Sequence, residues 1–211
     1  MSDLYPKIHS PFKRHTEGPQ RNNLDPTRWA RPEFQLLAGL RWEWTEKVDG
    51  TNVRVIWDGY KVTFGGRTDN AQMPATLLTV LRELFPETLL EQQFGASPAV
   101  LYGEGYGAKI QNGGRYRPDQ GFVLFDVKVG EWWLLRDAVE DVAAKMSLDV
   151  VPIQMRGSIE AAIEAVSEGI VSAWDVSLTA EGLVGRPPLG ITARDGDRLM
   201  VKVKTEDFRV T

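Results

Sequence analysis

The chain contains no cysteine, which excludes disulfide bonds, thiolate nucleophiles and zinc sites built from thiolates. Histidine is scarce as well: the two histidines, His9 and His15, lie in the polar N-terminal stretch. A catalytic triad that depends on histidine is therefore not expected. No apolar run approaches the length of a membrane span, and the first residues lack the core of a signal peptide. We expect a cytoplasmic protein without membrane contact, whose chemistry depends on Lys, Arg, Asp and Glu.

A basic excess is also missing. The formal net charge is −4 at pH 7, whereas strong non-specific nucleic-acid binders carry a net positive charge. A local basic stretch is present near the N terminus, and it either contacts a nucleic-acid end or forms a solvated arm. This stretch comprises Lys13, Arg14, Arg21, Arg28 and Arg31.

The periodicity of apolar residues predicts a mixture of strands and helices. With 211 residues the chain is long enough for one sizeable core. We predict an α+β fold, with an extended arm over residues 1–38 and one domain over residues 39–211. The predicted strands are Leu40–Thr45, Val53–Trp57, Lys61–Phe64, Val100–Tyr102, Gly121–Val127, Glu131–Leu135, Leu183–Arg186 and Leu199–Lys204. The predicted helices are Pro32–Ala38, Ala75–Phe85 with a restart after Pro86, Arg136–Leu148 and Ser158–Ser167.

Residues 46–52 read Glu-Lys-Val-Asp-Gly-Thr-Asn and place Lys47 beside two carboxylates, before a glycine turn. A free lysine has a pKa of about 10.4, so a lysine nucleophile needs surroundings that destabilise its ammonium form. A second lysine, burial or a bound cation can do so.

Near the other end, Leu199–Lys204 alternates with the period of a strand, which puts Lys202 and Lys204 on one face. Two ammonium groups at this spacing favour a bound anion such as phosphate. The alternative is a half-exposed strand whose polar face lies in water.

Three clusters of glycine and polar residues lie between these two segments, at residues 65–70, 101–107 and 180–186. Each cluster alone is typical of a turn. In this order, together with the lysines, the clusters resemble the motifs of covalent nucleotidyltransferases, in particular the RNA ligases that form a lysyl-adenylate. The resemblance covers about residues 40–208, and six motifs in order are far more specific than a lone Lys-x-Asp-Gly. The six are Lys47–Asn52, Arg67, Gly103–Gly105, Phe122–Asp126, Glu181–Val184 and Val201–Lys204.

The resemblance implies a nucleotidyltransferase adenylation domain, comparable to ATP-grasp folds, in which antiparallel β-sheets form a nucleotide-binding groove flanked by helices. It implies ATP as the nucleotide, Mg²⁺ or Mn²⁺ as the metal ion, and RNA 5′-phosphate and 3′-hydroxyl ends as partners in a repair reaction. Only seven residues follow Lys204, so we expect a minimal ligase without a C-terminal domain. The N-terminal arm or a partner protein would then help to hold the substrate.

The resemblance also implies roles for individual residues. Lys47 is the expected nucleophile, and Lys202 and Lys204 are expected to contact the α-phosphate. Glu181 would hold the metal ion, with a capping carboxylate as the alternative. Glu104 would accept hydrogen bonds from the ribose hydroxyls.

Further nucleotide contacts are implied with their own alternatives. Phe125 would stack on adenine, although Val123, Phe125 and Val127 also fit one buried strand face. Arg67 would bind a phosphate, with surface pairing to Asp69 as the alternative. The remaining residues implied near the nucleotide are Glu46, Asp49, Gly50 and Asn52.

Three functions remain open at this point. The first is an ATP-dependent RNA ligase that acts through a lysyl-adenylate. The second is a DNA nick ligase or another nucleotidyltransferase with the same core. The third is a non-catalytic module that binds nucleotide or RNA, although binding alone does not require a lysine nucleophile.

Overall fold

The computed structural model describes residues 3–208, which fold into antiparallel sheets and short helices. In chain order the strands are β1 (Phe12–Arg14), β2 (Leu24–Trp29), β3 (Trp42–Glu46), β4 (Thr51–Trp57), β5 (Val62–Gly65), β6 (Ala99–Gly107), β7 (Gln120–Val129), β8 (Trp132–Trp133), β9 (Ile153–Gly157), β10 (Gly182–Arg186) and β11 (Val201–Lys204). The α-helices are α1 (Pro32–Leu36), α2 (Ala75–Leu84), α3 (Glu87–Phe94), α4 (Arg136–Lys145), α5 (Ile159–Ser167) and α6 (Thr205–Phe208).

The chain divides into two compact units, each with its own hydrophobic core. The first unit contains Val48–Val151 and residues 3–5. The second unit contains Pro6–Lys47 and residues 152–208. None of the helices within residues 3–208 is long and apolar enough to cross a membrane.

The first unit is built on a five-stranded antiparallel sheet in the order β5-β4-β6-β7-β8. Val53 and Val55 of β4 alternate toward the core, where Leu77 and Leu81 of α2 pack, all with 0% exposure. Because successive strand residues point to opposite faces, Asn52 and Arg54 of β4 lie on the face away from this core.

The second unit is built on a four-stranded antiparallel sheet in the order β11-β10-β3-β9. Trp42 and Trp44 of β3 form its core with Ile159 of α5, all with 0% exposure. Helix α5 begins after Ser158, whose Oγ accepts a hydrogen bond from the Ala161 amide at 3.0 Å. Strands β1 and β2 pair with each other as a separate hairpin.

The predicted α+β class with antiparallel sheets is confirmed, and so are most of the predicted elements. Two strand predictions need correction. The predicted strand Val100–Tyr102 continues through Gly107, so Gly103–Gly105 lies inside a strand and the turn interpretation is wrong. Strand β9 was not predicted. The division into residues 1–38 and 39–211 stays a prediction, although residues 12–14 and 24–29 of the expected arm form the β1–β2 hairpin.

Gly103 allows β6 and β7 to pack closely, because a Cβ at this position would overlap the Phe122 ring and lie 2.5 Å from the Val123 oxygen. We expect Gly103→Ala to lower the free energy of unfolding by about 1–3 kcal/mol, the usual cost of overpacking. The midpoint of urea unfolding measures this change. Gly39→Ala is the matched control, since its Cβ would meet no atom within 4 Å. Equal midpoints for the two variants would contradict the prediction.

Candidate active site

Lys47 lies immediately after β3 in the second unit. Its backbone amide donates to the Gly182 oxygen at 2.9 Å and so extends the pairing of β3 with β10 by one residue. Its side chain is about one quarter exposed, and Nζ donates to Glu181 Oε2 at 2.7 Å. Backbone pairing therefore places the predicted nucleophile beside the predicted metal ligand.

Glu181 directly precedes β10, and its carboxylate lies between two lysines. Oε2 accepts from Lys47, while Oε1 lies 3.4 Å from Lys204 Nζ. Lys204 also donates to Glu206 Oε1 at 2.9 Å. Two ammonium groups repel each other, so a shared anion is required to hold them this close. In the second unit that anion is the Glu181 carboxylate.

Gly182 explains why Glu181 can approach Lys204. Its φ is +155°, and a Cβ there would overlap the Val203 oxygen and lie 2.8 Å from the Lys204 Cα. Strand β11 therefore runs directly against the Gly182 backbone. The Thr205 amide donates to the backbone carbonyl oxygen of Glu181 at 2.9 Å and holds the end of the pairing between β10 and β11.

Lys202 lies on the same face of β11 as Lys204. Val201 and Val203 point into the core of the second unit, so the two lysines point away from it. This confirms the predicted alternation. The Lys202 amide donates to the His9 oxygen at 2.9 Å, which places the N-terminal stretch alongside β11.

Carboxylates dominate the electrostatics around Lys204. Burial disfavours its ammonium form, but the hydrogen bond to Glu206 and the charge of Glu181 outweigh burial and raise the pKa of Lys204. Conversely, the hydrogen bond from Lys204 lowers the pKa of Glu206, with smaller effects from Arg14 and Lys47. At neutral pH the pair is held in its charged form.

The Glu206–Lys204 pair predicts a pH-dependent stability. Because folding lowers the pKa of Glu206 below 4.5, its stabilisation is complete above that value and is lost as the pH falls through the folded pKa. The Glu206 side chain is 71% exposed, so we expect Glu206→Gln to cost less than about 1 kcal/mol near neutral pH. Urea unfolding from about pH 7 to about pH 2 measures the difference, which should vanish at the acid end. Glu91→Gln, at an exposed position on α3, is the control.

Glu46 is buried at the end of β3, with 2% exposure. Its Oε2 accepts from Gln154 Nε2 at 2.6 Å and from the Ala173 amide at 2.7 Å. Its Oε1 is enclosed and has no hydrogen-bond partner among residues 3–208. Glu46 pairs in register with Leu183, a core residue. The structure thus joins Glu46 to Gln154 and Ala173 and not to the lysine face of the sheet.

Four more of the predicted site residues lie together in the first unit. Asn52 of β4 pairs in register with Glu104 of β6, on the face opposite the core. Asn52 Oδ1 is buried without a hydrogen-bond partner in the described part of the chain. Gly50 lies so close to β6 that a Cβ would be 2.9 Å from Glu104 Cγ. Asp49 Oδ2 accepts from Asn112 Nδ2 at 2.9 Å.

Phe125 occupies a β-bulge. Tyr102 pairs with Asp126 and Gly103 pairs with Leu124, so Phe125 is the extra residue of β7. Leu124 and Val127 both face the core of the first unit, whereas the Phe125 ring contacts Tyr5 with centroids 5.0 Å apart. The core interpretation of Phe125 is therefore wrong. It rested on uninterrupted alternation through Val127, which the bulge breaks.

Tyr5 is a contact that the sequence did not indicate. Its hydroxyl donates to Asp126 Oδ2 at 2.8 Å, and its ring packs against Phe125, Tyr102 and Trp133. No local pattern marks a tyrosine so near the N terminus as a partner of β7. The contact depends on tertiary structure, since more than one hundred residues separate Tyr5 and Asp126 in the chain.

Arg67 is exposed on the loop that follows β5. The alternative prediction paired it with Asp69, but Asp69 accepts instead from Arg54 at 2.8 Å. Arg54 also was not among the predicted site residues. The sequence could have indicated it, because the alternation of Arg54 with Val53 and Val55 places Arg54 on the polar face of β4.

Two residues of the basic stretch are already paired within the second unit. Arg14 donates to Asp207 at 2.8 Å and to the Asn22 oxygen. Arg31 donates to Asp197 at 2.9 Å and to Asp195 at 2.7 Å, and these hydrogen bonds raise the pKa of Arg31 against the opposing effect of burial. These two arginines hold neighbouring acidic segments, which the sequence did not predict.

Metal ligation was predicted at Glu181. Within the described residues, no group of three or more His, Asp or Glu side chains lies close enough together to hold an ion by itself. Mg²⁺ is commonly bound by one or two carboxylates, with substrate phosphates and water completing its coordination. The single carboxylate of Glu181 fits that arrangement.

The chain belongs to the RNA ligase family, because the family model for RNA ligase matches residues 40–204. Comparison with curated proteins gave no match. The fold is similar to solved mutants of a Naegleria gruberi RNA ligase. One with AMP and Mn is 19% identical, with a TM-score of 0.66 over 83% of this chain and 52% of that chain. Another, with ATP and Mn, is 18% identical, with a TM-score of 0.66 over 97% of this chain and 64% of that chain. The chain thus spans about half to two thirds of these structures' length.

Proposed function

We propose that this chain is an ATP-dependent RNA ligase that adenylates itself on Lys47, transfers AMP to an RNA 5′-phosphate and seals it to a 3′-hydroxyl. One observation carries the proposal: Lys47 and Lys204 meet at opposite oxygens of Glu181. A nucleophilic amine, a phosphate-binding cation and an oxygen ligand for a metal ion lie within one side-chain cluster. Membership of the RNA ligase family supports RNA as the substrate.

In the first step, the deprotonated Nζ of Lys47 attacks the α-phosphorus of ATP. The N–P bond forms, the bond between the α-phosphorus and the bridging oxygen breaks, and pyrophosphate leaves. To attack, Lys47 must release a proton to solvent and give up its hydrogen bond to Glu181. The ammonium groups of Lys202 and Lys204 neutralise charge on the phosphate oxygens as the transition state forms.

Glu181 is the proposed ligand for Mg²⁺ or Mn²⁺. When bound, the ion supplies positive charge at phosphate oxygens and helps to orient them. Glu181 would hold the ion through its carboxylate, and Lys47 would then lie beside a positive charge, which favours a neutral amine. In the structure each oxygen of Glu181 faces one of the two lysines.

The later steps use the same group-transfer chemistry. An oxygen of the RNA 5′-phosphate attacks the phosphorus of the lysyl-adenylate, which breaks the N–P bond and returns the Lys47 amine. A 3′-hydroxyl oxygen then attacks the phosphorus of the activated 5′-phosphate and loses its proton to solvent, and the pyrophosphate linkage to AMP breaks as the phosphodiester bond forms. Each step requires in-line positioning and positive charge more than acid-base catalysis.

We propose nucleotide contacts in the first unit as well. Glu104 would accept from the ribose hydroxyls and Phe125 would stack on adenine, while Arg67 would bind a phosphate. The enclosed Oδ1 of Asn52 and the close approach at Gly50 support a shaped polar surface beside Glu104. Asp49, which directly precedes Gly50, is proposed as a further contact of this surface with the nucleotide.

Glu46 stays a proposed adenine contact in the second unit. Its unpartnered Oε1 supports an interaction with an amino group, since a buried carboxylate oxygen without a hydrogen bond is costly.

The adenylation step gives the first test. We expect wild-type protein incubated with α-labelled ATP and Mg²⁺ or Mn²⁺ to retain label after denaturation. Lys47→Ala should retain none, because the amine is the only group proposed to form the bond with phosphorus. Lys61→Ala, at an exposed position in the first unit, is the matched control and should label normally. An unlabelled wild-type protein would refute the ligase and favour a non-catalytic binding module.

Substrate preference gives a second test. We expect 5′-phosphorylated RNA ends to be joined at least tenfold faster than the matching DNA ends, because the ribose 2′-hydroxyl lets a protein distinguish RNA from DNA. Nicked RNA, single-stranded RNA and nicked DNA of one sequence, assayed at equal concentration, measure the preference. Equal or faster joining of DNA would favour a DNA nick ligase.

A further inference from the structure

Arg54 is a buried arginine on the polar face of β4, with 2% exposure. Val53 and Val55 on either side point into the core of the first unit, so the guanidinium lies on the opposite face. Arginine is almost never buried unless its donors are paired, since removing its charge from water is costly. Its partners therefore show what this buried charge holds in place.

Both partners belong to the loop that carries Arg67. Arg54 Nε donates to the Gly66 oxygen at 2.7 Å, and Nη2 donates to Asp69 Oδ1 at 2.8 Å. One guanidinium thus holds the residue before Arg67 and a residue two positions after it. Arg67 itself is exposed, so burial does not fix its position. The direction of its side chain depends on this segment of backbone.

The two glycines before Arg67 allow this loop to pack closely. A Cβ at Gly65 would lie 2.7 Å from Arg54 Nη2, and a Cβ at Gly66 would lie 2.8 Å from the Ala71 Cβ. Both distances are too short for real Cβ contacts. Gly65 is therefore explained by close packing against the Arg54 guanidinium, and Gly66 by close packing against Ala71.

We propose that Arg54 is a positioning residue that holds the loop from Gly66 to Asp69 so that Arg67 is presented to a phosphate group. The inference rests on the proposed function, in which Arg67 binds phosphate during adenylation. Arginine suits the task because its planar fork donates in two fixed directions, whereas a lysine ammonium is a single point of charge. Arg54→Lys keeps the charge but cannot reproduce both contacts.

A double-mutant cycle tests whether Arg54 acts through Arg67. The rate of lysyl-adenylate formation is measured in single turnover over a range of ATP concentrations, for Arg54→Lys, Arg67→Ala and the double variant. We expect Arg54→Lys to lower the second-order rate constant about tenfold, the effect of losing one charge-assisted hydrogen bond. The double variant should be no slower than Arg67→Ala. Independent, multiplying effects would overturn the inference, as would an Arg67→Ala variant with the wild-type rate.

Tryptic cleavage after Arg67 gives a readout that does not require activity. If Arg54 holds the loop, Arg54→Lys should be cut there about tenfold faster than wild type, because local opening governs cleavage. Arg82→Lys, at an exposed position on α2, should leave cleavage and adenylation unchanged. Urea unfolding of each variant separates a mobile loop from general destabilisation.

The two readouts separate the two proposals. Wild-type protein that forms no lysyl-adenylate refutes the proposed function, and cleavage alone then decides whether Arg54 holds the loop. Unchanged cleavage in Arg54→Lys overturns the inference, whatever the activity.

Discussion

The proposed chemistry of the second unit depends on the contacts of the Glu181 carboxylate with Lys47 and Lys204, because these contacts hold the two lysines near each other. Two ammonium groups stay close only around an anion, and a phosphate can take the place of a carboxylate. The close approach of β11 to Gly182 and the extension of the β3–β10 pairing to Lys47 both bring side chains to this contact. The pairing of the strands positions the two lysines, and the Glu181 carboxylate supplies the negative charge between them.

In the first unit the central charged group is a cation and not an anion. There a buried cation, Arg54, holds an exposed loop through Asp69 and a backbone oxygen. In each unit some of the residues proposed for chemistry lie on the sheet face opposite the core, Asn52 on β4 and Lys202 and Lys204 on β11, while valines on the same strands anchor the sheet. Period-two alternation thus combines a packed core with a polar functional surface on each strand. A side chain on such a strand is better positioned than one on a free loop.

Local patterns predicted helices α1 to α5 and most strands, because apolar spacing is a short-range property, but not the short helix α6. They failed where long-range packing overrode local preference. Gly103–Gly105 has the composition of a turn but lies inside β6, since the lack of a side chain at Gly103 allows Phe122 to pack against it. The bulge at Phe125 is likewise invisible in the sequence. It depends on the register between β6 and β7, and it moves the ring away from the face that simple alternation predicts.

The sequence by itself determined the family to which the chain belongs and the order of its motifs, because residue type and spacing carry that information. It also determined that Lys202 and Lys204 share a face. Only the tertiary structure decided which carboxylate lies between Lys47 and Lys204, and which cation fixes the loop of Arg67. Hydrogen bonds and ion pairs act over a few ångströms in space. Residues far apart in the chain therefore become partners only after the strands between them have paired and packed.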